Sequence, residues 1–338
     1  MVFGHRGAAG YRPEHTLPSY ELAIRLGVDV IEPDLVITRD GVLVVRHEPE
    51  LSATTDVAAH PEFAARRTTK VLDGVPTAGW FSEDFTLTEL RTLRAQERIP
   101  QIRPRNTIYD GRYPVPTFQE VMDLAKRASH RYGREIGIAP EIKHPTYFRE
   151  QGMPLEPPRV RALTCNGLNR AGATVWVLSF EVGNLIRLRS MLDVHLVQLL
   201  SAGGGPYDFV AAGVCRTSAD LVTPAGLREI AGYADVIGPD KNQIVPRDAA
   251  GALLPPTSLV QDAHGAGLDV VPYTFRNENA FLPLDFRHAT DPAQYGDAFA
   301  EYALFWSLGI DGLFSDNPDT ALEARDQHVA SRQLGVTG

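Results

Sequence analysis

The sequence predicts an α/β fold, a (β/α)8 barrel of the TIM type with an insertion after the second strand region. Three observations predict it. About eight strand-like apolar runs alternate with helical segments along most of the chain. Charged and imidazole groups recur at the C-terminal ends of those runs, where such barrels collect their reacting groups. The first run ends in Gly4-His5-Arg6-Gly7, which is not the glycine-rich phosphate turn that the alternative, a doubly wound open sheet, calls for.

Composition sets the outer bounds. The chain has 338 residues, 43% hydrophobic and 22% charged, ample for a large core and normal for one barrel. Its net charge of −9 argues against a nucleic-acid groove and against an anionic membrane surface. Two cysteines, Cys165 and Cys215, are too few for a disulfide scaffold or a zinc knuckle, and their spacing leaves open whether they pair. No apolar run reaches the ~20 residues of a membrane helix, so no stable membrane insertion is expected. No signal peptide is visible, and as given the chain reads as soluble and cytoplasmic. Met1 abuts the first strand, so an upstream segment, if removed, would make it extracellular or periplasmic. The oligomeric state is open.

Taken in order, the first strand carries Val2-Phe3. A helix over Thr16–Leu26 follows, with Leu17, Tyr20, Leu22, Ala23 and Leu26 on one face and Gly27 as its stop. Val28–Ile31 is a strand, Thr38-Arg39-Asp40-Gly41 a hairpin-type turn, and Val42–Val45 a second β-branched run. From Leu51 to Tyr113 the texture is polar and proline-rich. Only Leu87–Leu93 reads as helical there, with Thr86 or Thr88 as cap. This stretch is expected to cover one end of a single domain spanning residues 1–326. From Pro116 the alternation is regular. Helices are expected at Phe118–Ala128, Pro158–Arg170, Val182–Met191, Pro224–Ala231, Ser258–Ala266 and Ala298–Leu308. Strands are expected at Ile136–Lys143, Thr174–Phe180, Val194–Leu200, Ala234–Gly238, Leu268–Phe275 and Ile310–Phe314. A last helix starts at Pro318, and residues 327–338 are expected to fray as a tail.

Reading only the strand ends gives His5 and Arg6, Glu32 and Asp34, His47, and Glu141 and Lys143. Gln198, Asp240, Tyr273 and Asp316 follow from later strands. Residues i and i+2 of a strand share a face, so Glu32 and Asp34 aim into one space. A single glutamate at a strand end usually pairs with a surface arginine. Three converging carboxylates, Glu32, Asp34 and Glu141, need a cation between them, and an all-oxygen set suits Mg²⁺ or Ca²⁺ rather than zinc. His5 and His47 flank the set and are candidates for acid–base work. His15, His60, His130, His195, His264 and His288 lack such company and read as structural. Arg6 and Lys143 suit a phosphate oxyanion, with ion pairing to the acidic cluster as the simpler role. Phe180, Gln198 and Tyr273 are candidates for the substrate side of the pocket, with core packing as the simpler role for the aromatic pair.

These motifs resemble the glycerophosphodiester phosphodiesterase family, in its bacterial periplasmic type. The resemblance rests on His5-Arg6, Glu14-His15, Glu32-Pro33-Asp34 and His47-Glu48. It continues through Pro140-Glu141-Ile142-Lys143, Leu196-Val197-Gln198-Leu199, Ile237-Gly238-Pro239-Asp240, Pro272-Tyr273-Thr274 and Gly312-Leu313-Phe314-Ser315-Asp316. Two positions depart from the family pattern: His15 stands where Asn is usual and Glu48 where Asp is usual. The resemblance implies a (β/α)8 barrel with a characteristic insertion, catalytic His5 and His47, metal ligands Glu32, Asp34 and Glu141, and phosphate-binding Arg6 and Lys143. It further implies one divalent cation, Ca²⁺ ahead of Mg²⁺, and hydrolysis of glycerophosphodiesters to sn-glycerol 3-phosphate and an alcohol. A lysophospholipase D acting on lysolipids is the rival. His15 is expected to touch the site only indirectly, and the longer Glu48 to alter how His47 is oriented.

Overall fold

The computed structural model describes residues 1–335. Its strands are β1 (Val2–His5), β2 (Val30–Glu32), β3 (Asp34–Ile37), β4 (Leu43–Val45), β5 (Thr68–Leu72), β6 (Val75–Gly79), β7 (Gly137–Ile138), β8 (Glu141–Ile142), β9 (Trp176–Ser179), β10 (His195–Leu200), β11 (Val236–Pro239), β12 (Asp269–Val270) and β13 (Leu313–Ser315). Two prolines, which cannot donate to a ladder, split barrel strands in two. Pro33 separates β2 from β3, and Pro140 lies between β7 and β8. The two halves of each still follow one another, so the ring has eight members. It runs β1, β2/β3, β7/β8, β9, β10, β11, β12, β13 with parallel pairing throughout. A parallel bridge from Phe275 to Ser315 closes it. β4 lies outside the ring, antiparallel to β3 across the 38–42 turn.

Two apolar layers hold the ring. Phe3, Val30, Ala139, Trp176, Leu178, Val197, Leu199, Val236, Val271 and Phe314 fill its interior. A larger cluster lies between the strands and the surrounding helices. Alternation along each strand sends every second residue to each layer. The first helix, Leu17–Leu26, starts at Thr16, whose side chain accepts from the Ser19 N–H, and ends at Gly27 with φ 114°, as the sequence predicts.

The stretch 51–113 is an ordered cover over the C-terminal end of the ring. Leu51, Val57, Phe63, Leu72, Phe81, Phe85, Leu90 and Leu93 are buried in it. Its helix is Leu87–Leu90, and Thr86 is the cap, in a capping box with Glu89. It also contains the β5–β6 hairpin, turning at Asp73-Gly74. The last helix runs Pro318–Gly335, so residues 327–335 of the expected tail are helical. Cys165 and Cys215 are both free and exposed. Among the described residues, no helix is long and apolar enough to cross a membrane.

Candidate active site

The interior layer continues upward into the site by strand alternation. Two residues beyond Phe3 is His5; beyond Val30 come Glu32 and Asp34; beyond Ala139 come Glu141 and Lys143. Leu178 leads to Phe180, Val271 to Tyr273, and Phe314 to Asp316 in the same way. A cavity of about 420 Å³ opens there, lined at one end by His5, Arg6, Glu32, His47, Glu141 and Lys143. Phe180 and Tyr273 also line it. Gln198 has the opposite parity. It is buried, its Nε2 donates to Phe180 O at 3.0 Å and its Oε1 accepts from Tyr233 at 2.9 Å, away from the cavity.

The turn after β1 is tightly set. Arg6 has φ 57° and Gly7 φ 94°. The Arg6 carbonyl accepts from the His15 N–H at 3.1 Å, and its own N–H donates to Glu32 Oε2 at 2.8 Å. A left-handed non-glycine residue is uncommon and is held here by these partners.

Oxygens of Glu32, Asp34 and Glu141 all lie within 4.8 Å of one another, and all three residues are buried. Burial, then the charges of Asp34 and Glu141, push Glu32 well above the carboxylate range. Burial, partly offset by Lys143, pushes Glu141 up to about 8. Burial works against the Asp34 charge too, but Lys143, His47 and His15 outweigh it and hold that carboxyl low. Asp34 Oδ1 is buried without a hydrogen-bond partner among the described residues. Three clustered carboxyls, two of them resisting ionisation and one with an orphaned oxygen, fit a hard divalent cation.

Each candidate imidazole is backed by a carboxylate. His5 Nδ1 lies 2.5 Å from Asp316 Oδ1. Asp316 is held ionised despite burial by Arg276 and Arg103, so the imidazole is the donor. His47 Nδ1 donates likewise to Glu48. The Nε2 atoms are thereby left as acceptors, and that of His47 faces Lys143 Nζ at 3.2 Å. Burial lowers His5 to about 4 against the pull of Asp316; burial with Arg6 and Lys143 lowers His47 to about 3. Both rings are neutral at pH 7. Lys143 Nζ donates to Glu141 at 2.7 Å.

The chain matches the model of the glycerophosphoryl diester phosphodiesterase family over residues 5–320. It belongs to that family. A glycerophosphodiester phosphodiesterase of Arabidopsis thaliana, GDPD6, is 36% identical over 92% of this chain and 82% of its own. One from Haemophilus influenzae is 30% identical over 96% of this chain and 89% of its own. The fold is shared with a phosphodiesterase of Oleispira antarctica solved with the product sn-glycerol-3-phosphate, at TM-score 0.63 and 19% identity over 96% of both chains.

Against the family pattern, His15 is closer to the chemistry than its neighbours in sequence suggest. It is fully buried, its Nε2 lies 2.8 Å from Asp34 Oδ2, and its Nδ1 lies 2.7 Å from the Tyr20 hydroxyl. It is thus in direct contact with one of the clustered carboxylates. Two arginines of the insertion, which no periodicity marks, tie the site together. Arg98 bridges Glu14 and Glu48, and Arg103 bridges Asp316 and Glu278. Glu14 accepts from Arg6 Nη1 at 3.0 Å. Arg46, also buried, donates to the Glu14 carbonyl at 2.7 Å and to Thr54 O at 3.1 Å, pinning the cover to the ring.

Proposed function

We propose that the protein hydrolyses glycerophosphodiesters such as glycerophosphocholine and glycerophosphoethanolamine to sn-glycerol 3-phosphate and an alcohol, with one divalent cation. The observation that carries this reading is two carboxylate-backed imidazoles flanking a three-carboxylate cluster in one cavity. Glu32, Asp34 and Glu141 would hold the cation. When bound it supplies Lewis acidity and offsets the carboxylate charge. Three direct carboxylates favour Ca²⁺ over Mg²⁺, which keeps more of its water. Residues 1–326 are read as one catalytic domain, with 51–113 as an insertion that completes the site.

The chain's own groups divide the work. Arg6 and Lys143 bind the non-bridging phosphate oxygens. One imidazole takes the proton of the glycerol 2-hydroxyl as that oxygen attacks phosphorus. The P–O bond to the alcohol breaks, and the other imidazole, which takes up a proton when the anionic substrate binds beside it, gives that proton to the leaving oxygen. Water then opens the cyclic phosphate with the proton flow reversed. Asp316 and Glu48 keep each Nδ1 protonated, so that each Nε2 faces the reacting atoms.

The test is release of glycerol 3-phosphate from glycerophosphocholine after EDTA treatment, then with Ca²⁺ or Mg²⁺ restored. Activity that disappears on chelation and returns with one ion supports the reading and names the ion. No activity with either ion on any glycerophosphodiester overturns it. Trapping a 1,2-cyclic phosphoglycerol distinguishes attack by the 2-hydroxyl from direct attack by water.

A further inference from the structure

Away from the carboxylates, the cavity reaches a wall that the steps above do not use. It is built beyond β11 and β12 by Asp240, Lys241, Arg247, Tyr273, Arg276 and Phe281. Its cations are incompletely paired. Lys241 Nζ donates to both oxygens of Glu301 at 2.8 Å, and Arg247 Nη2 donates to the same carboxylate at 3.1 Å. Two cations therefore share one buried anion. Arg276 commits its Nε to Asp316 at 2.7 Å, a carboxylate that Arg103 and His5 already hold. Among the described residues, Nη1 of Arg247 and both Nη atoms of Arg276 have no hydrogen-bond partner. Guanidinium forks with free N–H groups on a cavity wall match the oxygens of a carboxylate or a phosphate.

The aromatic faces nearby are already taken. Lys143 Nζ lies 5.5 Å from the Phe180 ring centre, and Arg276 Cζ lies 4.5 Å from that of Phe281. A quaternary ammonium would compete with these cations for the same faces. Asp240, the carboxylate on this wall, gives Oδ1 to the backbone N–H and side-chain amide of Asn242, both at 2.8 Å. Its Oδ2 is left for an ammonium.

We infer that this wall is the subsite for the leaving alcohol, and that it selects an alcohol carrying an anionic group, received by Arg247 and Arg276. The inference rests on the hydrolase reading above. Serine fits the wall as a whole, with its carboxylate on the guanidiniums and its ammonium on Asp240. Ethanolamine differs from serine by that carboxylate alone, so the pair isolates the contact.

The experiment compares kcat/KM for glycerophosphoserine and glycerophosphoethanolamine, with Ca²⁺ or Mg²⁺ present. The wild type is expected to prefer the serine ester by about 10–100-fold, the worth of a charged hydrogen bond. Arg247→Gln brings the ratio toward one, while Lys241 continues to neutralise Glu301. Arg247→Lys keeps the charge without the fork and restores part of the ratio. If Arg247→Gln does not fold, the wild-type ratio and Arg247→Lys decide. A wild-type ratio at or below one, or a ratio that Arg247→Gln leaves unchanged, overturns the inference and leaves the hydrolase reading standing. Turnover of neither ester under any condition removes both.

Discussion

Arg98 is the side chain whose loss tells most about how the site is held. Its Nε and Nη2 each donate to Glu14 at 2.7 Å, and its Nη1 and Nη2 donate to Glu48 at 3.0 and 2.6 Å. Glu14 orients Arg6 and Glu48 orients His47, so one insertion residue sets the proposed phosphate-binding cation and an imidazole together. Arg98→Gln keeps much of the stem and removes the charge and the fork. Breaking a fully buried pair from one side costs about 3–5 kcal/mol. The Arg98 side chain is 25% exposed, and solvent screening brings the expected loss to about 2–3 kcal/mol. Losing the partner that orients a site ligand costs roughly 10–100-fold, by analogy with outer-shell partners of metal ligands, and here it should fall mainly on kcat. Arg98→Lys recovers only part, because an ammonium cannot serve both carboxylates bidentately. The pH response carries a sign. Although burial opposes it, the His47 hydrogen bond and Arg98 hold Glu48 below the usual carboxylate range. Its stabilisation is therefore present above the ordinary carboxylate pKa and lost as pH falls through the depressed one. Without Arg98 that window moves up, and the acid limb of kcat moves up with it. The assay is kcat and KM against pH on glycerophosphocholine, with thermal melting in parallel. A lowered Tm with kcat within twofold of wild type and an unmoved acid limb would refute the argument and leave Arg98 a structural tie.

His5→Ala and His47→Ala should each lower turnover by about 10²–10⁴-fold, measured by glycerol 3-phosphate release, and near-normal rates in either would sink the acid–base assignment. Stability of the cation-free protein should fall as pH rises from about 6.5 to 8. Glu141, with its pKa raised to about 8, is protonated in the folded state and must ionise there, while His5 and His47 have already lost their protons. Added Ca²⁺ should reverse that fall and release protons, which calorimetry in buffers of different ionisation heat would detect; a flat melting profile between those pH values would count against the carboxylate cluster. Gly7→Ala should destabilise by about 2–3 kcal/mol or prevent folding, because φ is 94° and a new Cβ would lie 2.7 Å from the Ser19 carbonyl carbon. Unchanged chemical denaturation of that variant would be the contrary result.

What the sequence disclosed and what it hid divide along physical lines. Alternation in strands is local, and Phe3 to His5, Val30 to Glu32 and Ala139 to Glu141 could be followed by eye from core to site. The same rule, applied with the correct parity, assigns Gln198 elsewhere: Val197 and Leu199 face the interior, so Gln198 faces the helices. The barrel was legible because eight apolar runs need covering helices. The insertion's place was legible from its polar, proline-rich texture, but its internal order was not, because it has short irregular turns and takes its order from contacts with the ring. Arg98 and Arg103 sit in it without a pattern, and only folding brings them to Glu14, Glu48 and Asp316. His15 looked isolated because Asp34 is far from it in sequence. The last helix continues past Arg325 with exposed Arg332 and Gln333, where no apolar stripe signals it.

The pair formed by His5 and Asp316 joins residues 311 positions apart. β13 is the last strand of the ring to leave the ribosome, and it is also the one that docks beside β1. Until it arrives, His5 has no carboxylate to fix its tautomer, while the three clustered carboxyls come from the first half of the chain. A nascent chain can therefore gather the acidic cluster long before His5 gains the carboxylate that would set it for the proposed proton transfer. On the acid–base role proposed for His5, ring closure is therefore the step that completes the site.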